Sequence, residues 1–213
     1  MKMSSAFSLT ELLVVIVIIA ILAVASLPMI SSLNQAGGMN AASGTILSLL
    51  QQSHLYATSH NTYVYVGVLS TNTSASTTEL WLVGAASRTG TDLSQGGTHN
   101  INVNDPNGGL ELLGKVAKFP RILIKTGSQI SSALVSRPAG ALSLNLQTAT
   151  STLSPIFQAT FSNFVWFCPD GTASSNATGA NSFEFGIEAA QQQKNAAVFQ
   201  VTGITGIAKL YRP

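Results

Sequence analysis

AFSLTELLVVIVIIAILAVASLP, Ala6 to Pro28, is an apolar run with one carboxylate, Glu11, set into its leading edge. Leu12 to Ala25 is unbroken, and extension to Leu9 and Ile30 brings the segment to the ~20 residues that cross a bilayer core. An ionised acid near a bilayer centre costs roughly 2.5–3.5 kcal/mol or more, so Glu11 needs a task that offsets it. No comparable run occurs later. The sequence therefore predicts a single crossing, with Lys2 on the short leader holding the N-terminus in the cytoplasm.

Composition sets the outer limits. Of 213 residues 46% are hydrophobic but only 8% are charged, against about 25% charged in an ordinary soluble domain. Beyond the apolar run the chain is rich in Ser, Thr, Asn, Gln, Ala and Gly, a neutral polar surface that suits an exported, assembling protein better than a cytosolic enzyme. The net charge of +2 comes from scattered single Lys and Arg residues, without the clustered basic face of a dedicated nucleic-acid binder. Cys168 is the one cysteine, which excludes an intrachain disulfide and a thiolate cage. Within FVWFC it reads as a small buried hydrophobe.

Three readings fit the N-terminus. A secretory signal peptide has small-x-small support at Ala23-Val24-Ala25 and would release the chain after Ala25. A net positive leader is expected of such a peptide, whereas here Lys2 is offset by Glu11, which abuts the apolar run. A plain signal anchor explains hydrophobicity and orientation but leaves Glu11 without a role.

The third reading rests on a resemblance. A short leader, the small Ala6, then Phe7-Ser8-Leu9-Thr10-Glu11 and a long aliphatic run resemble the class III signal of type IV pilins and type II secretion pseudopilins. The resemblance implies a prepilin peptidase that cuts between Ala6 and Phe7 and methylates the new amino group. It places Glu11 fifth after the cut and Pro28 where these proteins carry a helix-kinking proline. The departure is Ala6, where the family has Gly, and slower processing is the expected consequence. Physically, a carboxylate in a bilayer or filament core calls for an opposite charge, and the α-amino group of Phe7 on an adjacent subunit supplies it. The resemblance implies the same pairing, which sets the axial register of subunits. The competing role for Glu11 is a carboxylate that reaches the lipid headgroups.

Beyond the membrane the helix is predicted to continue. Ile30, Leu33, Ile46, Leu47, Leu49, Leu50, Leu55 and Ala57 recur at mixed three- and four-residue spacings, which predicts one face packed on a globular head. From Phe7 to about Ser59 such a helix is roughly 80 Å long at ~1.5 Å per residue, bent at Pro28 and loosened at Gly37-Gly38 and Gly44. Strands are predicted at Tyr63–Leu69, Glu79–Val83, Arg121–Lys125, Ala141–Gln147, Phe157–Phe161, Phe164–Phe167, Phe183–Ile187, Ala197–Thr202 and Ile207–Tyr211. Ser70–Thr78 and Ala85–Gly109 read as loops. One helix followed by runs of strand argues an α+β fold, a long N-terminal α-helix packed on a mainly antiparallel β-sheet head. The expected divisions are a leader at 1–6, a membrane and assembly helix at 7–30, its periplasmic continuation at 31–61 and a β-rich head at 62–213.

The head sharpens the resemblance. Leu49 to Asn61 leading into Tyr63–Val68, the strand and turn Val165 to Thr172, and the closing Val198 to Gly206 are similar to GspH/FimT-type minor pilins and pseudopilins; residues 70–158 are not matched. In Pro169-Asp170-Gly171, Pro presets φ, Asp caps its own backbone and Gly accepts positive φ, a tight turn after an apolar strand. Major pilins commonly close a C-terminal loop with two cysteines, which one cysteine cannot do, so a minor subunit fits better. The partners implied are the prepilin peptidase, other pilins or pseudopilins through the N-terminal helix, the inner membrane and an assembly platform, with the head periplasmic. The alternative function is a minor type IV pilin whose head grips DNA or a surface, and its sequence support is the small basic set Lys194, Lys209 and Arg212.

Catalytic and cofactor chemistry finds no purchase. Gly109 to Val116 approaches a P-loop but puts Val116 where a hydroxyl must hold magnesium. The loop Asn100, Asn102, Asn104, Asp105, Asn107 lacks the Gly and closing Glu of a calcium loop. His54, His60 and His99 have no metal-ligand spacing and read as surface or interface residues. Neither a catalytic residue, a cofactor nor a metal is expected.

Overall fold

The computed structural model describes residues 9–71, 79–93, 101–102, 109–144, 160–161, 164–175, 181–190 and 192–213, with side chains described except at 23–36, 69–71, 101–102, 160–161 and 192–193. Helix α1 runs Leu9–Ser59. The strands are β1 (Val64–Thr71), β2 (Glu79–Ser87), β3 (Ile101–Asn102), β4 (Leu110–Leu112), β5 (Ala117–Pro120), β6 (Ile122–Thr126), β7 (Leu142–Ser143), β8 (Thr160–Phe161), β9 (Phe164–Phe167), β10 (Ala173–Ser175), β11 (Ser182–Ala189), β12 (Gln192–Thr202) and β13 (Ala208–Tyr211). The fold is α+β with antiparallel pairing throughout the described ladders except β7 beside β11.

The chain divides into two compact units, 1–37 and 38–213. In the first, the helical backbone carries on through Pro28 without a break. Its described large apolar side chains, Leu9 to Leu22, are 49–80% exposed on every side. Among the described residues no helix is long and apolar enough to cross a membrane. The expected span at 7–30 lies only in part among them, since the side chains from 23 onward fall outside.

In the second unit the remainder of α1 covers the inner faces of two sheets. One has six strands in the order β10-β9-β1-β2-β4, with β5 also on β2; the other has five in the order β13-β12-β11-β6, with β7 on β11. Met39, Ser43, Ile46, Leu50, Ser53 and Ala57 are buried at alternating four- and three-residue steps, a single stripe along the helix. Small residues in that stripe let the helix sit close to the sheets. Val64, Val66, Val68, Leu80 and Leu82 from the first sheet and Phe183, Phe185, Ile187, Phe199 and Val201 from the second meet it in one core. Strand alternation sorts the second sheet: odd residues of β11 and β12 face the helix, and Phe185 stacks on its cross-strand partner Phe199 with centroids 5.1 Å apart. Leu55, expected on the packed face, is 65% exposed; it lies two positions beyond Ser53, which turns it off the stripe.

Ser53 is the buried polar atom without a partner in the described head: its hydroxyl oxygen is enclosed and makes no hydrogen bond. Because a buried unsatisfied hydroxyl costs about 1–3 kcal/mol, Ser53→Ala is expected to leave denaturant stability unchanged or raise it by about 1 kcal/mol. A loss of stability would show that this hydroxyl serves a partner.

Several expected boundaries move. β2 extends to Ser87 through Gly84, Ala85 and Ala86, small residues whose composition predicts a loop from Ala85 onward. β3, β4, β5 and β10 are added, β3 falling inside the expected loop Ala85–Gly109, and Leu110–Leu112 of the near P-loop is a strand rather than a phosphate loop opening a helix. Of Ala141–Gln147 only Leu142–Ser143 is strand and 145–150 lie outside the described residues; of Phe157–Phe161 only Thr160–Phe161 is described.

Candidate functional site

The residues expected to guide assembly come first. Glu11 lies in the first described turn of α1. It is exposed, and around it Leu9, Leu12, Leu13, Val14 and Val15 are exposed too. A carboxylate thus rides on an otherwise apolar rod. Ala6 and Phe7 lie outside the described residues, and Pro28 is helical in its backbone with its side chain outside them.

On the head, the three basic candidates are not gathered. Lys194 and Lys209 are exposed on β12 and β13. Lys209 is paired across the ladder with Gln200, whose side chain donates to the Pro138 carbonyl at 3.4 Å on the outer face of the sheet. Arg212 turns the other way: its guanidinium donates to Asn40 Oδ1 at 2.5 Å and to Ser43 Oγ, both on α1. The chain end is thereby clasped to the helix.

A second cluster joins α1 to two turns. His54, expected at a surface or interface, is half-buried: Nε2 lies 3.1 Å from the Gly171 carbonyl, and the ring leans on Phe167 with centroids 5.8 Å apart. Gly171 (φ +86°) closes the expected Pro169-Asp170-Gly171 turn, its N–H donating to the Cys168 carbonyl at 3.0 Å. At Gly206 (φ +63°) a side chain would run into the His54 ring and the Gly171 carbonyl, so only glycine lets the β12–β13 turn close there. His60 stacks on Tyr56 at 3.9 Å, and His99 lies outside the described residues.

Asp170 caps this turn as expected, accepting from the Thr172 backbone N–H at 2.9 Å and the Thr172 hydroxyl at 2.7 Å. These bonds, the hydroxyl's first, hold its carboxyl below the usual range despite some burial. A folded-state value below the unfolded one gives stabilisation that is full above about pH 4 and is lost as the pH falls through the folded value. The thermal midpoint of Asp170→Asn is therefore expected to lie below wild type at pH 6 and to converge with it toward pH 2. A gap that stays constant across this range would contradict the role. Next to it, burial pushes the Cys168 thiol up; the Thr172 hydrogen bond opposes this and the charges of Asp170 and Asp92 add to it. At neutral pH Cys168 is a thiol rather than a reactive thiolate.

Arg137 and Glu184 form an element that no sequence pattern announces. Glu184 faces outward from β11, and Arg137 crosses it from the 127–140 segment, Nε to Oε2 at 2.9 Å and Nη2 to Oε1 at 3.2 Å. The two side chains are 8% and 9% exposed. The guanidinium also donates to the carbonyls of Val135, Gly127 and Ile130. Their separation of 47 residues hides the pair from any local pattern.

Two adjoining hollows lie among the described residues of the head. One of about 420 Å³ opens where β2 is shared between β4 and β5, lined by Thr45, Ser48 and Gln52 of α1 with Leu113 and Lys115 opposite. The other, about 490 Å³, continues it past Leu55, Tyr56 and Leu112. Among the described residues no three His, Cys, Asp or Glu side chains gather as a metal site requires.

Residues 1–27 match the family model described as the prokaryotic N-terminal methylation motif. The match takes in Ala6, Phe7 and Glu11 and marks the N-terminus as type IV pilin-like, that of a prepilin peptidase substrate. No curated protein and no solved structure matches the chain.

Proposed function

We propose that the chain is a minor pseudopilin of a type II secretion system. A prepilin peptidase cuts between Ala6 and Phe7 and methylates the new amino group. The N-terminal helix then carries the subunit from the inner membrane into a periplasmic pseudopilus, guided by pairing of Glu11 with the Phe7 amine of a neighbour. The observation that carries this reading is the methylation motif at 1–27 with Glu11 in the first turn of an apolar helix. A minor subunit is favoured over a major pilin by Cys168, which has no second cysteine to close a C-terminal loop. The head contributes packing and turn-locking side chains, and no enzymatic step enters the reading.

Deleting the chain's gene tests it: secreted proteins are expected to accumulate in the periplasm while surface pili persist. Normal secretion with loss of pili or of DNA uptake would move the chain to the alternative, a minor type IV pilin with a DNA- or surface-binding head. For that alternative the exposed Lys194 and Lys209 are available, whereas the Arg212 guanidinium is engaged by α1. It requires salt-dependent DNA retention that neutralising Lys194, Lys209 and Arg212 removes.

A further inference from the structure

Among the described residues of the head the exposed large apolar side chains are Leu55, Leu93, Leu112, Leu142, Ile204 and Ile207. Four of these gather around the end of α1, where the ~3.6-residue helical repeat sets two flanks on either side of the buried Leu50, Ser53 and Ala57. On one flank His54 and Thr58 face the turns at Gly171 and Gly206, and an added Cβ at Gly206 would meet both the His54 ring and the Gly171 carbonyl. Ile204 and Ile207 are exposed on the second of these turns, and Asp170 is exposed on the first. On the other flank Gln52, Tyr56 and Ser59 line the adjoining hollows. The hollow nearer Ser59 contains the exposed Leu55 and Leu112 with Glu111, and the one nearer Gly44 carries the exposed Lys115.

We propose that the hollow at Leu55, Leu112 and Leu113 receives the Ile204–Ile207 turn of a second copy of the chain. The close fit of Gly206 against His54 and Gly171 fixes this turn, so its two isoleucines are presented with little left to order on binding. Their burial would remove from water the apolar side chains that both surfaces expose. The charges agree: the Asp170 carboxylate arrives beside the turn, and the Lys115 ammonium lies along the hollows that take it. Turn and hollow are different surfaces on opposite flanks of α1. Each copy therefore offers one while filling the other, a head-to-tail contact that repeats from copy to copy and, where its rotation does not close a ring, extends a filament. The use in a pseudopilus rests on the assembly reading; the contact itself does not.

Cysteine cross-linking of the full chain in detergent micelles, in a Cys168→Ala background, tests the contact without any filament. Copies carrying Ile204→Cys, mixed with copies carrying Leu112→Cys, are expected to form disulfide-linked dimers on mild oxidation. The yield should be roughly tenfold or more above that of Lys194→Cys mixed with Leu112→Cys, since Lys194 is exposed away from the turn. A chain that carries both Ile204→Cys and Leu112→Cys is expected to give a ladder of higher oligomers. Ile207→Asp or Leu55→Asp, both at exposed positions that the fold does not depend on, should each lower the yield about tenfold, and Lys115→Glu roughly threefold at low salt. A yield no higher than that of the Lys194→Cys control, or one indifferent to Ile207→Asp and Leu55→Asp, would overturn the proposal. So would dimers from Leu112→Cys alone, which mark a symmetric contact, or a Leu112→Cys cross-link in cell membranes to a protein of another mass in place of the Ile204→Cys copy. Any of these failures leaves the secretion reading standing. Copies that cross-link as expected but never enter a filament would instead break that reading alone.

Discussion

Replacing Glu11 with alanine is expected to leave cleavage before Phe7 intact and to remove the chain from assembled filaments. Residue 11 lies beyond the scissile bond, within an apolar helix that alanine preserves. On the proposed pairing, alanine removes the acceptor for the Phe7 ammonium of the adjacent subunit. Breaking a desolvated pair by deleting one partner costs about 3–5 kcal/mol, because the other charge is left unpaired. At ~1.4 kcal/mol per factor of ten, incorporation should fall by two orders of magnitude or more, measured as the fraction of subunit in sheared filaments or cross-linked to its neighbours. Glu11→Asp keeps the charge on a shorter arm and should retain part of the assembly. Unimpaired assembly of Glu11→Ala would mean that the carboxylate merely reaches the lipid headgroups.

The second large effect belongs to the head. Arg137→Ala is expected to destabilise it by about 3–5 kcal/mol in denaturant unfolding, since the Glu184 carboxylate and the carbonyls of Gly127, Val135 and Ile130 lose their common donor in a buried site. Arg137→Lys should rescue little, because a point-like ammonium does not reproduce the planar fork that meets both carboxylate oxygens. Joint replacement by apolar residues, Arg137→Met with Glu184→Leu, is expected to regain most of the loss. If Arg137→Ala costs under about 1 kcal/mol, the pair behaves as a surface bridge and the 127–140 segment is held chiefly by Ile130 and Val135, which pack on Ala196 and Val198.

Much of this architecture is legible in the amino-acid order. The helix ends at Ser59 as its apolar spacing indicates, and Phe164–Phe167 is a strand over the span that its aromatic run marks out. The Pro169-Asp170-Gly171 turn follows from the backbone preferences of its three residues. Strands built of small residues escape such reading: Gly84 to Ser87 and Ala173 to Ser175 owe their pairing to neighbouring strands, and their own side chains carry almost no β preference. The residues proposed to guide assembly are local and stand out as a charge in an apolar run. His54 and Arg137 act on partners 117 and 47 residues away, and no spacing rule reaches that far. The splitting of Lys194 and Lys209 from Arg212 has a similar cause, since only the register of β12 with β13 and the clasp on Asn40 decide which way each basic side chain turns.

The central claim is that cutting before Phe7 creates the amine that Glu11 requires. Mass spectrometry of the mature N-terminus, on the chain purified from membranes that contain its prepilin peptidase, tests it most directly. The account predicts a chain beginning at N-methylated Phe7, with any uncut remainder reflecting alanine rather than glycine at position 6. A mature chain beginning at Ser26, released by signal peptidase, or one that keeps Met1 throughout would contradict it.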